Sequence, residues 1–287
     1  MQLLAKHLEA ISGGTITAAK GANIASIIAG FDTFGARAQM DRPWRMAHYL
    51  AQIAHESGRF LYDREVWGPT PAQSRYDIRE DLGNTPARDG DGKLYAGRTG
   101  MQLTGRANYT AFRDWCRAEG LNPPDFVKNP ELVNTDPWEG LVPIWYWTKG
   151  NPTGKSLNVY ADANNAEMIT RRINGGLNGY AERLELYTRS GLVLLGYAMR
   201  GGVIAEFQRA IGFTGDDIDD VDGPKTRNAI HNALLKHEPA KAPAPIPIPP
   251  PTPDEPEASA SPSTGRAPAD IAADLRRLAD EIEQKAA

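Results

Sequence analysis

The sequence predicts a mainly α-helical protein, and three stretches carry that prediction. Residues 41–57 place Met46, Leu50, Ile53 and Ser57 four, three and four positions apart, along one face of a helix. Residues 169–179 read as a helix that stops at the pair Gly175 and Gly176 and then restarts. Residues 203–212 and 224–230 read as two helices joined by an Asp-rich loop, the second opened by Gly223-Pro224.

In the first helix, Asp41 is the expected N-cap and Pro43 is tolerated in the first turn. Glu56 falls beside the apolar stripe at the last turn, where partial burial and the negative helix end favour a protonated carboxyl. Nine residues at about 100° each would turn Glu65 about half a turn away from Glu56, so the helix must break if both are to reach one substrate. Gly58 supplies the break, and Asp63-Arg64-Glu65 then lie on a loop, with Arg64 placed to favour an ionised Glu65. Further on, Pro143-Ile144-Trp145-Tyr146-Trp147 is a dense aromatic run in a helical stretch and reads as core.

Hydrolysis of a glycosidic bond needs one protonated carboxyl to donate to the leaving oxygen and one carboxylate to serve a water, so Glu56 and Glu65 are the minimum equipment for it. In a chain that is 24% charged, two glutamates nine apart are by themselves ordinary surface residues. The segment from Gly97 to Tyr109 shifts that balance. It is rich in amides and hydroxyls (Gln102, Thr104, Asn108, Tyr109) and flanked by glycines, as expected where backbone lies close to a sugar.

These blocks, Ala54-His55-Glu56-Ser57-Gly58, then Gly97 to Tyr109, then Ile169 to Gly179 with Arg183 and Tyr187 beyond, resemble glycoside hydrolase family 19, the chitinase-like group that includes many phage endolysins. The resemblance covers roughly residues 1–197. It implies a two-lobed, lysozyme-like catalytic domain with a cleft, and an inverting reaction that needs no cofactor and no metal. It implies Glu56 as general acid, Glu65 as general base and Thr104 as the hydroxyl that helps hold the attacking water. Gln102, Asn108, Tyr109, Asn174 and Arg183 match substrate-binding or site-supporting positions, and Ser74 matches a further hydroxyl nine positions after the second glutamate. A loop-borne base suits the wide carboxyl separation of inverting enzymes, about 6.5 to 9.5 Å. Two positions depart from the family pattern: Arg59 and Thr99 stand where second glycines are usual.

Competing readings attach to several residues. His55-Glu56 begins a zinc motif, but Arg59 stands where its second histidine belongs, so His55 reads as a packed neighbour of Glu56. Asp89-Gly90-Asp91-Gly92 and the acidic run 216–222 lack the ligand pattern of a calcium loop and read as turns. Trp67 and Tyr95, in polar stretches, are candidates for stacking on sugar.

Residues 200–238 resemble a short type 1 peptidoglycan-binding domain, with Gln208, Val221-Asp222-Gly223 and Gly223-Pro224-Lys225-Thr226 as its signature; the alternative is a purely structural helical hairpin. Residues 239–268 hold 11 of the 22 prolines and read as an extended linker, and 269–287 as a short amphipathic helix that either docks on the main body or self-associates. A net charge of -4 argues against nucleic acid as partner. The single Cys116 excludes an internal disulfide and suits a reducing cytosol. No stretch has the length of a membrane span, and none reads as a secretion signal, so the expectation is a monomer made in the cytoplasm of a bacterial host and released to the periplasm by a holin pore. The expected partner is the β-1,4 glycan strand of peptidoglycan. Chitin is the alternative substrate, and a non-catalytic wall-binding or virion protein the alternative of another class.

Overall fold

The computed structural model describes residues 1–237. The linker of 239–268 and the helix expected over 269–287 lie outside the described residues. Eleven α-helices follow in order among the described residues: α1 (Ala5–Ser12), α2 (Ala18–Gly30), α3 (Pro43–Glu56), α4 (Asp91–Leu94), α5 (Arg106–Ala118), α6 (Trp138–Trp145), α7 (Asn158–Asp162), α8 (Ala166–Asn174), α9 (Tyr180–Leu194), α10 (Val203–Ala210) and α11 (Pro224–Leu235). No sheet accompanies them among the described residues; the only extended pairing is a pair of isolated bridges, Arg64 with Arg98 and Arg98 with Leu103. None of these helices is long and apolar enough to cross a membrane.

Helix α3 is the axis of the body. It opens on Arg42 rather than Asp41, whose carbonyl instead accepts from the Met1 amino group at 2.9 Å; Pro43 takes the first helical position, where no N–H is required. More than one face is buried: every residue from Met46 to Ala54 is inside, because α1, α7, α9 and α11 all pack on it. Two polar members of that run have partners, whereas the Tyr49 hydroxyl has none among the described residues. His48 meets the Asn164 Oδ1 at 3.1 Å and stacks on Tyr187 at 4.2 Å between centroids, and Gln52 accepts from Arg183.

One close helix crossing depends on two glycines. At the α2–α6 crossing a Cβ on Gly140 would stand 1.9 Å from the Ser26 carbonyl oxygen, and one on Gly30 would stand 2.3 Å from the Gly140 backbone. Helix α6 runs on, past an internal Pro143, into a π-helical turn over Tyr146–Gly150, and this is the aromatic run expected as core: Trp145, Tyr146 and Trp147 are all buried.

The boundary expected near residue 197 does not divide two cores. Val203 and Phe207 of α10 and Ile230 and Leu234 of α11 belong to the same apolar cluster as Leu186 and Leu192 of α9. A Cβ on Gly191 would come within 2.3 Å of the Ile230 side chain. The signature residues of this region knit the loop between α10 and α11. Buried Gln208 donates to Asp219 and to Thr226 and accepts from the backbone of Asp219 and Asp220, which uses its whole amide. A smaller apolar cluster, Tyr76 and Leu82 with Trp67 against them, lies apart from the main core.

Candidate active site

The chain turns sharply after Glu56. Glu56 is the last residue of α3, and Gly58, Arg59 and Phe60 follow in left-handed conformations with φ of 57°, 58° and 66°. The Ser57 hydroxyl closes this turn, donating to the Ile53 carbonyl at 2.7 Å and accepting from the Phe60 N–H at 2.9 Å. From the back, Asn23 donates to the carbonyls of Phe60 and Leu61. Arg59, at a position where the family pattern has glycine, thus keeps a glycine-like backbone at a cost of about 1 to 3 kcal/mol. Thr99, the second departure, does the same with φ of 64°.

Glu56 is shut in. Its side chain is 3% exposed, and its Oε1 accepts from the Arg183 guanidinium at 2.5 Å; the Arg183 side chain is 0% exposed. Burial pulls the Arg183 pKa down to about 9, which leaves it charged at neutral pH. Its other terminal nitrogen donates to Gln52, and its Nε has no partner among the described residues. Two effects therefore oppose each other on Glu56: desolvation favours the neutral acid and the guanidinium favours the carboxylate. Only the first is legible in the sequence, where Arg183 reads as a substrate-binding or site-supporting position.

Beside Glu56, His55 is packed as expected. Its Nδ1 lies 2.7 Å from the Glu182 carboxylate, and its ring covers Gly179, where a Cβ would stand 2.2 Å from Cε1. Gly179 opens α9 with φ of 66° and Gly175 closes α8 with φ of 77°, which is the stop and restart read from the glycines.

Glu65 follows the bridge between Arg64 and Arg98, and the chain after Arg98 turns back over residues 99–102 to bridge Arg98 with Leu103. The Glu65 N–H donates to the Gly97 carbonyl at 2.8 Å, and its Oε2 accepts from the Gly97 N–H at 3.1 Å. Its Oε1 accepts from the Gln73 amide at 2.8 Å. A Cβ on Gly97 would fall 2.5 Å from the Gln102 Oε1, 3.2 Å from the Thr104 Oγ1 and 3.4 Å from the Glu65 Cβ, so three predicted residues converge on this one glycine. The Thr104 hydroxyl donates to the Gln102 carbonyl at 2.8 Å, which leaves its lone pairs to accept. Asn108 donates to the Thr104 carbonyl at 2.6 Å and fixes that residue from the side. A Cβ on Gly100 would stand 3.6 Å from the Ile53 and Ser57 side chains, so the segment lies against the end of α3 where Glu56 stands.

Other predicted residues lie elsewhere. Tyr95 and Tyr109 are 2% and 0% exposed and face each other edge-on at 5.5 Å between centroids. Their hydroxyls donate to the Val127 and Ala96 carbonyls, so they brace the backbone from inside and are not substrate contacts. Asn174 is 1% exposed with neither side-chain amide atom partnered among the described residues. Trp67 is half-buried against Tyr76, 6.4 Å between centroids. Ser74 is exposed; one position earlier, Gln73 makes the contact with Glu65. The signal for Gln73 was present as an amide in a Gly-Pro-Thr-Pro loop whose backbone N–H groups need an acceptor.

Several carboxylates of the acidic turns are engaged by protein groups. Asp91 pairs with Arg106 at 2.6 Å, Asp89 accepts from the Thr85 hydroxyl, and Asp222 accepts from Arg227 and Thr188. Beneath the Asp63–Glu65 segment, Glu139 is 9% exposed; burial and the nearby Asp63 push its pKa up to about 7, against the pull of Asn134.

No family model matches the chain. A glycosyl hydrolase family 19 domain-containing protein of Haemophilus influenzae is 34% identical over 169 residues, covering 50% of this chain and 76% of that protein. An endochitinase of Arabidopsis thaliana is 30% identical over 151 residues, with 53% of this chain matched but only 46% of the plant protein. Among solved structures, chitinase C of Streptomyces griseus aligns with a TM-score of 0.49 and 23% identity, over 68% of this chain and 77% of that one.

Proposed function

The chain belongs to glycosyl hydrolase family 19, and on that premise we propose that it cleaves β-1,4 bonds of the peptidoglycan glycan strand by an inverting mechanism, as an endolysin. The observation that carries the mechanism is the unequal dress of the two carboxyls. Glu56 is enclosed at a helix end against Arg183, whereas Glu65 is held on both oxygens by N–H donors beside the Thr104 hydroxyl.

In this reading a water donates one hydrogen bond to Glu65 and one to Thr104. Its oxygen attacks the anomeric carbon from the face opposite the leaving group, and Glu65 takes the proton. Glu56 gives its proton to the glycosidic oxygen as the bond from that oxygen to the anomeric carbon breaks, so the new reducing end carries the inverted configuration. Gln102 and Asn108 hold the Thr104 segment.

The support for the wall as substrate is the resemblance of 200–238, in sequence, to a peptidoglycan-binding domain. The protein would then be made in a host cytoplasm and reach the periplasm through a holin pore, acting as a monomer. Chitin is the second reading, favoured by the endochitinase name of the plant relative. The deciding experiment incubates the protein with sacculi and with chitin hexamer and identifies soluble products by mass spectrometry, with NMR to follow the first anomer formed. Muropeptides with new reducing ends in the α configuration are expected. Cleavage of chitin alone would transfer the substrate to that polymer, and folded Glu56→Gln or Glu65→Gln variants with native activity would sink the mechanism.

A further inference from the structure

We propose that Gln73 is the positioning residue of Glu65: its amide holds one carboxylate oxygen so that the remaining lone pairs are presented to the attacking water. The inference rests on the reading of Glu65 as the base.

Gln73 is fixed by five hydrogen bonds, four through its side-chain amide and one through its backbone N–H. Its Oε1 accepts from the Gly68 N–H at 3.1 Å and the Thr70 N–H at 2.7 Å, and its own N–H donates to the Thr70 hydroxyl at 3.2 Å. Because Oε1 receives two backbone donors, the orientation of the amide is determined, and Nε2 is the atom that faces Glu65. Both hydrogens of Nε2 are used, one on the Val66 carbonyl at 2.9 Å and one on the Glu65 Oε1 at 2.8 Å. The side chain is 5% exposed, so nothing in solvent replaces these bonds if they are lost.

Glu65 depends on that arrangement. A carboxylate has room for about four acceptor bonds. Gln73 takes one place on Oε1 and the Gly97 N–H one on Oε2, which prevents rotation of the group and leaves the other lone pairs open. Glu65 sits on a loop, without a helix to restrain it, and an error of about 1 Å in placing a reacting group costs about a hundredfold in rate. Gln73 therefore ties the precision of the base to the 66–73 loop, which is itself closed by the same amide.

The test is Gln73→Glu, which keeps the two bonds from Gly68 and Thr70 but sets a second carboxyl against Glu65. The pair then shares a proton over part of the neutral range. The expected result is a fall in kcat of at least about tenfold at pH 6, an acid limb of the kcat profile moved up by at least about one unit, partial recovery at higher pH, and a KM changed less than about threefold. A native kcat profile in folded Gln73→Glu, with Glu65→Gln inactive, would overturn the positioning role and leave the base intact. An active Glu65→Gln would overturn the base and this inference with it. Should Gln73→Glu fail to fold, the side-chain amide resonances of Gln73 in the unaltered protein decide: they are expected to titrate at the pH of the acid limb, and their failure to move there would refute the contact.

Discussion

Replacing Arg183 with methionine removes a guanidinium whose side chain is wholly buried and leaves Glu56, 3% exposed, without it. Taking one partner from a buried ion pair costs about 3 to 5 kcal/mol, a large share of the roughly 5 to 15 kcal/mol that holds a domain together. The cost must depend on pH. Without its cation, buried Glu56 relieves itself by binding a proton, so its pKa in the folded variant rises above its unfolded value of about 4.3. A group raised in this way contributes fully below the unfolded value and loses that contribution as pH rises through the folded one. The deficit of Arg183→Met against the unaltered protein is therefore small near pH 4 and complete by about pH 8. Urea titrations followed by tryptophan fluorescence at several pH values measure it. Adding Glu56→Gln to Arg183→Met should recover at least about half of the deficit at pH 8. A deficit below about 1 kcal/mol, or one indifferent both to pH and to the second substitution, would mean that the pair does not hold the end of α3 as described.

Glu139, pushed up to about 7 by burial from an unfolded value of 4.5, should make the protein lose stability as pH rises through that window. Glu139→Gln does not titrate, so its advantage in denaturant midpoint should grow between pH 5 and pH 8, on the order of 2 to 3 kcal/mol, and an advantage constant with pH would contradict the burial argument. Gly179→Ala combines a left-handed backbone with a Cβ placed 2.2 Å from the His55 ring and should cost at least about 2 kcal/mol in thermal unfolding. Gly176→Ala, whose Cβ meets nothing nearer than 3.8 Å, should stay within about 0.5 kcal/mol. Asn174→Leu removes a buried amide with no partner among the described residues, so the free energy of unfolding in urea should be unchanged or raised by about 1 kcal/mol. A loss of more than about 1 kcal/mol would mean that the amide is satisfied in the folded protein.

What the sequence made legible is local chemistry. The helix ending at Glu56, the break at Gly58 and the glycine-bounded restart before α9 follow from spacing and from backbone freedom, and the structure places them there. The two departures from the family pattern, Arg59 and Thr99, are legible for the same reason, since the conformation normally given to glycine is kept. What escaped depends on who stands opposite. Tyr95 lies in a polar stretch of sequence, yet the carbonyl of Val127, 32 residues away, draws its hydroxyl inside. Arg183 lies 127 residues from Glu56, and no spacing rule connects them. An amphipathic stripe in α10 and α11 suits a free module and a buttress equally; only the seat of Ile230 on Gly191 distinguishes the two.

That seat limits how this chain can be taken apart. A cut near residue 197, made to exchange the terminal piece, would look natural from the sequence. Here it would strip α11 from the flank of α9, the same helix that carries Arg183 to Glu56. The workable junction lies after Leu235, where the last described helix ends. A fusion made there preserves the catalytic body whole, whereas one made before α10 begins with half of its foundation removed.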